Sequence, residues 1–395
     1  MRTAIIGGGA AGFFIAVNLK EMMPEMDVTI FERSHRVLAK VEVSGGGRCN
    51  VTNSFRGITD LQAVYPRGHR LLKRLFHVFS PQDAYRWFEC HDVPLVTQDD
   101  ECVFPRAQDS HAIIDCFLRE AHHHHIEIRT HENMTGFEAL TGFDYICVTT
   151  GGSPTGKGLQ WLANAGHEVV APVPSLYSLR IDDRRLTALM GTVVSSATTH
   201  IAGTKLRAEG PLLITHWGVS GPAVLRLSSY AARLLADADY RLPLTVNWTS
   251  QSDADVMAAI HEAVIRHPQK QLATFNPFGL PQRLWGYLAE RALGDRQRLR
   301  WSELGRKDLN RLVNVLSADT YSTAGRAPFK DEFVTCGGIA LDTVNLSTLE
   351  SRHVPRLYFA GEVLDIDGVT GGFNFQAAWT TAYTVAKAIA RTTAS

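Results

Sequence analysis

Residues 3–32 read TAIIGGGAAGFFIAVNLKEMMPEMDVTIFE, and the reading of that stretch decides the fold. Thr3 to Ile6 is a short apolar run that predicts a strand, and Phe13 to Leu19 continues as an apolar helix. Between them Gly7, Gly9 and Gly12 stand in GxGxxG spacing. A second predicted strand, Val28 to Phe31, ends on Glu32, twenty residues after Gly12. Each part has a use in binding a dinucleotide. Gly7 allows the tight turn, Gly9 lets the backbone approach a pyrophosphate, and Gly12 lets helix and strand pack closely. Backbone N–H groups at the helix start have no intrahelical partner, and the helix dipole favours an anion there. Glu32 is placed to accept hydrogen bonds from a ribose diol, and Arg33 follows it as a further nucleotide-side candidate. A plain glycine turn, or a signal peptide built on Arg2 and the apolar run, competes with this reading. The second strand ending in an acid disfavours both. The motif alone leaves FAD and NAD open.

The chain has 395 residues, a length for two or three domains with a real core. Its 40 Lys and Arg balance 40 Asp and Glu, so no net field draws the whole chain to nucleic acid or an anionic membrane. No apolar run reaches the length of a membrane span. The cysteines at 49, 90, 102, 116, 147 and 336 form no CxxC pair and sit mostly in apolar contexts, the pattern of reduced thiols. These features together lead us to expect a soluble, cytoplasmic α/β protein with neither nucleic-acid nor membrane partners. They assign no oligomeric state.

Beyond Glu32, residues 37–53 read VLAKVEVSGGGRCNVTN. Three consecutive glycines, an arginine and two asparagines form a loop whose backbone N–H groups are free for a ligand. Arg48 suits a pyrophosphate or carboxylate, because its fork matches oxyanions, and Lys40 adds charge nearby. Cys49 has no second cysteine or histidine beside it, so it is expected to line the ligand and not to react. Helical spacing follows at 69–79, 81–91 and 110–121. His122 to His125 resemble a metal tract, but no carboxylate or cysteine cluster accompanies them, so they are expected to end a helix before a strand at Ile126 to Arg129. No metal site is expected. Met134 joins the cofactor-binding candidates. Tyr145 to Thr149 predicts a strand returning to the sheet and running into Thr150-Gly151-Gly152, a turn over the nucleotide. GGSPTGKG at 151–158 mimics a phosphate loop, but Gly158 replaces the hydroxyl residue that holds magnesium.

From about Pro172 the character changes. Short strand-like pieces run to about residue 217, and amphipathic helices follow near 222–236, 253–266, 281–293 and 306–317. THWGVSGP at 215–222 contains His216, a candidate acid or base of the side-chain type that titrates near neutrality; a packed structural histidine is the alternative. The span contains no second GxGxxG with strand and acid, so it reads as an insertion. FVTCGGIALDTVNL at 333–346 then predicts a strand and a turn. RLYFAGEVLDIDGVTGGFNFQAA at 356–378 predicts a strand at Leu357 to Ala360, a Gly361-Glu362 turn, the pair Gly371-Gly372 and a helix from about Asn374. In a flavoprotein such an acid binds near the ribityl or phosphate groups. The helix start favours the negative charge that gathers at the flavin N1–O2 edge on reduction.

GGGAAG, SGGGRCNVTN, THWGVSGP and YFAGEVLDIDGVTGGFNFQAA together resemble the YhiN-like FAD-dependent oxidoreductases. The resemblance covers nearly the whole chain. It implies an α/β fold with a Rossmann-like FAD-binding domain, split in sequence into 1–171 and 328–395 by an inserted β-barrel and helical domain at 172–327. It further implies that Gly7, Gly9, Ala11 and Gly12 line the pyrophosphate and Glu32 holds the adenosine ribose. Lys40, Gly46, Gly47, Arg48, Cys49 and Asn50 would border the FAD. Gly361, Glu362, Gly372, Phe373 and Asn374 would close over the ribityl and isoalloxazine, with Phe373 standing where tyrosine is frequent in the family. The expected activity is a FAD-dependent oxidoreductase acting on a small organic substrate. The FAD is non-covalent, and NAD(P)H, bound transiently, or oxygen is the redox partner. An NAD-dependent dehydrogenase and a flavin-containing binding or RNA-modification-associated protein are the alternatives.

Overall fold

A computed structural model describes residues 1–327 and 334–394. The chain divides into two compact units, Met1–Val173 with Val334–Ser395, and Pro174–Phe333. The boundary expected between 327 and 328 falls at the edge of residues 328–333, which lie outside the described residues.

The first unit is built on a five-stranded parallel sheet ordered Leu357–Phe359, Tyr145–Val148, Arg2–Ile6, Asp27–Phe31, Glu127–Arg129. The Arg2–Ile6 strand is central, with Thr3 opposite Val28 and Tyr145. A strand flanked on both sides in a parallel sheet is covered on both faces, and residues 3–6 are buried throughout. The helix Ala10–Met22 is buried from Ala11 to Leu19, which is why it reads as apolar all round. It packs on the C-terminal helix Phe373–Ala394 and on His111–His123. Phe14 anchors that contact, its ring centroid 4.6 Å from Trp87 and 5.1 Å from Trp379. Such pairs add about 0.5–1.5 kcal/mol beyond area burial. A small antiparallel sheet, Leu95–Thr97, Cys102–Pro105 and Thr52–Asn53, holds the end of the glycine loop by pairing Thr52 with Val103.

The second unit is a closed six-stranded barrel with helices. Its order is Val193–Ile201, Arg207–Thr215, Gly218–Ser220, Leu179–Ile181, Asp319–Arg326, Pro243–Asn247, all antiparallel. Helices Pro222–Tyr230, Ala232–Asp237, Asp253–Arg266, Gln282–Leu293 and Arg306–Ala318 lie where apolar spacing predicts them. Between residues 217 and 333 the spacing predicts helices and no strand, whereas Pro243–Asn247 and Asp319–Arg326 are both strands and close the barrel. Pro243–Asn247 is a five-residue alternating segment between two helices and Asp319–Arg326 follows a helix directly, and closure removes two sheet edges. Among the described residues no helix is long and apolar enough to cross a membrane.

Candidate active site

The glycine turn at 7–12 assigns a separate steric task to each of its three spaced glycines. Gly7 has φ +111°, and a Cβ there would stand 2.5 Å from the Thr149 carbonyl oxygen. Its N–H donates to the Phe31 carbonyl at 2.8 Å, fixing the crossover between the two strands. At Gly12 a Cβ would lie 2.1 Å from the Gly7 carbonyl oxygen and 2.9 Å from Thr149 Oγ1. At Gly9 a Cβ would meet no heavy atom within 4 Å. Gly9 is therefore the open position, at the start of a helix that has no side-chain cap. Ala11 turns its methyl toward Gly361, 3.0 Å from the position of an added Cβ, so any ligand contact it makes falls to its backbone.

Glu32 ends its strand half-buried. One carboxylate oxygen accepts the Gly8 N–H at 2.9 Å and the other the Ser34 N–H at 2.8 Å. Each oxygen keeps acceptor capacity for a hydroxyl. Arg33 beside it is exposed. The loop holding half-buried Met134 is tied to the same strand end, with the Glu132 N–H donating to the Glu32 carbonyl at 2.9 Å.

The second glycine loop supplies a further open wall. Gly46 and Gly47 have φ +69° and +83°, and a Cβ on either would meet nothing within 4 Å. The Arg48 guanidinium lies 4.2 Å over the Phe104 ring and donates to Gln108 Oε1 and the Gly45 carbonyl, both at 3.2 Å. Those partners are neutral, so the cation is positioned without being neutralised. Asn50, its carboxamide oriented by its partners, accepts from Gly372 N–H at 3.1 Å and donates to the Thr52 carbonyl at 2.9 Å. Cys49, expected to line the ligand, has φ +58° and is fully buried. Burial pushes its thiol up to about 12, against a hydrogen bond from Ser44 that lowers it, so it stays protonated and inert.

The C-terminal stretch meets both loops. Gly361 donates its N–H to Thr381 Oγ1 at 2.9 Å. One oxygen of Glu362 accepts the Thr335 N–H at 2.8 Å and the other pairs with Lys40 Nζ at 2.9 Å. Gly151 faces that carboxylate at 3.7 Å from its would-be Cβ, and Thr150 beside it is exposed. Gly371 accepts a hydrogen bond at its carbonyl from Asn53 Nδ2 at 3.1 Å. Gly372, at φ +86°, lies so close that a Cβ would be 2.2 Å from the Thr52 carbonyl oxygen. Asn374 brackets Gly368, accepting its N–H at 2.8 Å and donating to its carbonyl at 2.9 Å, so it shapes the loop before the helix. Phe373 is buried, its ring 5.2 Å from Phe55 and 5.8 Å from Tyr65.

His216 belongs to the other unit, exposed in the turn between two barrel strands with its ring 4.2 Å from Trp217. The sequence reading missed Thr149, whose hydroxyl donates to the Gly7 carbonyl at 2.9 Å. It also missed Asn53 and the ion pair of Arg67 with fully buried Asp367, in which Nε meets Oδ1 at 2.5 Å. Asn53 and Asp367 stand inside quoted motifs, but nothing in the spacing names their partners.

The observed cradle fits a flavin adenine dinucleotide on this chain's own terms. Open backbone at Gly9, Gly46 and Gly47, an uncompensated Arg48 and the acceptor Glu32 are what a pyrophosphate and a ribose require.

The family described as HI0933-like protein Rossmann domain matches residues 1–388. The chain belongs to that family. Its members are FAD-dependent oxidoreductases, and this chain is an enzyme of that class. A protein named ribosomal RNA dihydrouridine synthase from Haemophilus influenzae is 27% identical over 418 residues, covering 98% of each chain. One of the same name from Escherichia coli is 28% identical over 407 residues, covering 97% of this chain and 96% of its own. The 3-dehydro-bile acid delta(4,6)-reductase of Clostridium scindens is 24% identical over 411 residues, covering 98% of this chain and 99% of its own.

Proposed function

We propose that this flavoenzyme reduces a carbon–carbon double bond conjugated to a carbonyl, with NAD(P)H as the electron source. The observation that carries the reading is a chemistry shared by relatives with dissimilar substrates. A 3-dehydro-bile acid delta(4,6)-reductase and a dihydrouridine synthase both saturate an alkene in conjugation with a carbonyl, in one a steroid ketone and in the other the uracil C4 oxygen. FAD held by this chain would supply the hydride for the β-carbon of that system, with a proton for the α-carbon coming from an acid and the two electrons from NAD(P)H.

The chain's residues bind and orient. Gly9, Gly46 and Gly47 leave backbone open to the pyrophosphate, and Arg48 adds a fixed positive charge held by Phe104 and Gln108. Glu32 holds the ribose end. Lys40, Glu362 and the Thr335 N–H form a chain of hydrogen bonds that fixes the Gly361-Glu362 turn.

An absorbance spectrum of the purified protein, followed by anaerobic NADH and then NADPH, tests the reading. Flavin bands that one nicotinamide bleaches, and that a Δ4-3-ketosteroid or a uridine-containing RNA then restores, are the expected result. Bands that resist both nicotinamides exclude NAD(P)H as the electron source. A protein colourless even after reconstitution with FAD sinks the reading altogether.

A further inference from the structure

The balanced charge of the chain hides a segregation. Residues 174–333 carry 20 Lys and Arg against 15 Asp and Glu, while the remainder carries 20 against 25. The excess is densest over residues 294–311, where Arg296, Arg298, Arg300, Arg306, Lys307 and Arg311 face only Asp295, Glu303 and Asp308.

The fold gathers these cations. The 3-10 turn Gly294–Arg298 and the helix Arg306–Ala318 both pack on the helix Gln282–Leu293. Arg296 reaches across to buried Asp308 at 2.8 Å, and Glu303 accepts the Arg300 N–H at 2.7 Å, so two of the three acids are engaged locally. Arg298, Arg306, Lys307 and Arg311 are exposed, and none makes an ion pair among the described residues. Leu312, Val313 and Leu316 pack inward. Lys307, Asn310, Arg311 and Asn314 are all exposed and, at i, i+3, i+4 and i+7, stand along one face.

Helix stability does not account for this arrangement. Arg306 and Lys307 open the helix, where the macrodipole is positive and favours acids. Cations there cost the helix stability, and the one carboxylate of that first turn, Asp308, is already engaged by the Gly305 N–H and by Arg296.

We propose that this face of the barrel unit docks RNA through its phosphates. The choice of RNA over other polyanions rests on the reading of the site above, because an alkene inside a nucleobase arrives with a charged strand attached. Phosphate contacts fix such a strand's position without reading its sequence, which is a task for exposed Lys and Arg flanked by Asn.

The test is fluorescence anisotropy of the FAD-loaded protein with a labelled uridine-bearing RNA hairpin across a salt series. The variant is Arg298→Glu with Lys307→Glu and Arg311→Glu; Lys307→Glu places an acid in the first helical turn, which favours folding. Expected are a strong salt dependence for the parent and at least about tenfold weaker binding for the variant near 50 mM salt. The salt slope should fall by about 2 for three lost phosphate contacts. Bleaching of the flavin by the nicotinamide and turnover of a small enone should not change. Equal RNA binding by parent and variant overturns the proposal, as does equally tight binding to heparin or to anionic vesicles. RNA binding lost in the variant of a protein that turns over no conjugated alkene supports the surface while the reductase reading falls. Enone turnover by a parent that binds no RNA has the opposite meaning.

Discussion

At Gly372 an added Cβ would stand 2.2 Å from a backbone oxygen, at Gly12 2.1 Å and at Gly7 2.5 Å, whereas at Gly9, Gly46 and Gly47 it would meet nothing within 4 Å. The same residue thus forms two walls of one cradle. On the closed wall glycine lets main chain touch main chain: strand to helix at Gly7 and Gly12, and the C-terminal helix start to the Asn50–Asn53 segment at Gly372. On the open wall it leaves main chain uncovered for something that is not protein. The difference separates fold from function within a single residue type, and it makes substitutions on the two walls fail in different ways.

The largest effect belongs to the closed wall. Gly372→Ala places a side chain at φ +86°, which costs about 1–2 kcal/mol for an L-residue. It also drives a methyl into the Thr52 carbonyl, and overpacking of that kind costs about 1–3 kcal/mol. A total loss near 3 kcal/mol should appear as a lowered urea midpoint of the FAD-free protein. A midpoint equal to that of the parent would show that the wall is not closed there.

Legibility in the sequence followed the range of each interaction. Gly7, Gly9, Gly12 and Glu32 could be assigned tasks because strand, turn, helix and acid occupy thirty consecutive residues. Apolar spacing likewise located the helix Asp253–Arg266 and the long C-terminal helix. Cys49 and Phe373 stand inside strong motifs, but a motif places a residue and not the direction of its side chain. A positive φ at Cys49 and an aromatic cluster around Phe373 decide that direction. Arg67 and Asp367 are 300 residues apart, so no local pattern joins them. The barrel strand Pro243–Asn247 is short and stands between two helices, and Asp319–Arg326 begins directly at the end of a helix, so neither has a turn signal of its own to mark it. The basic stretch at 294–311 was present in the sequence all along, and a whole-chain sum cancelled it.

Acid strikes behind the closed wall by another route. His167 is buried, its ring 4.8 Å from Phe359 on the strand that leads into Gly361. Its ring nitrogens bond Thr343 Oγ1 at 3.1 Å and Ser351 Oγ at 2.9 Å. Burial, and then His353 nearby, pushes it down to about 4. Below about pH 6.5 the unfolded chain takes up a proton that the folded chain refuses until about pH 4. Stability from this group is therefore intact above about 6.5 and lost progressively as pH falls toward 4, by at most about 3 kcal/mol. Calorimetric melting across that window should show the loss, and His167→Gln should flatten it. An unchanged slope in the variant would assign the acid sensitivity to other groups.

The smallest effect on folding is expected on the open wall, and it is the most informative. Gly9 has φ −96°, a value any residue adopts, and free space where a methyl would go. Gly9→Ala should leave the urea midpoint of the FAD-free protein close to the parent, the poorer helix cap costing about 0.5 kcal/mol. The methyl would occupy the space through which a pyrophosphate approaches the backbone, so FAD should bind about tenfold more weakly, equivalent to about 1.4 kcal/mol. Titration of FAD against quenching of its fluorescence measures the second quantity independently of the first. Unaltered FAD affinity would mean that the pyrophosphate lies elsewhere, and the open glycines at 46 and 47 would then carry it without the helix start. A loss of stability equal to that of Gly372→Ala would erase the distinction between the two walls.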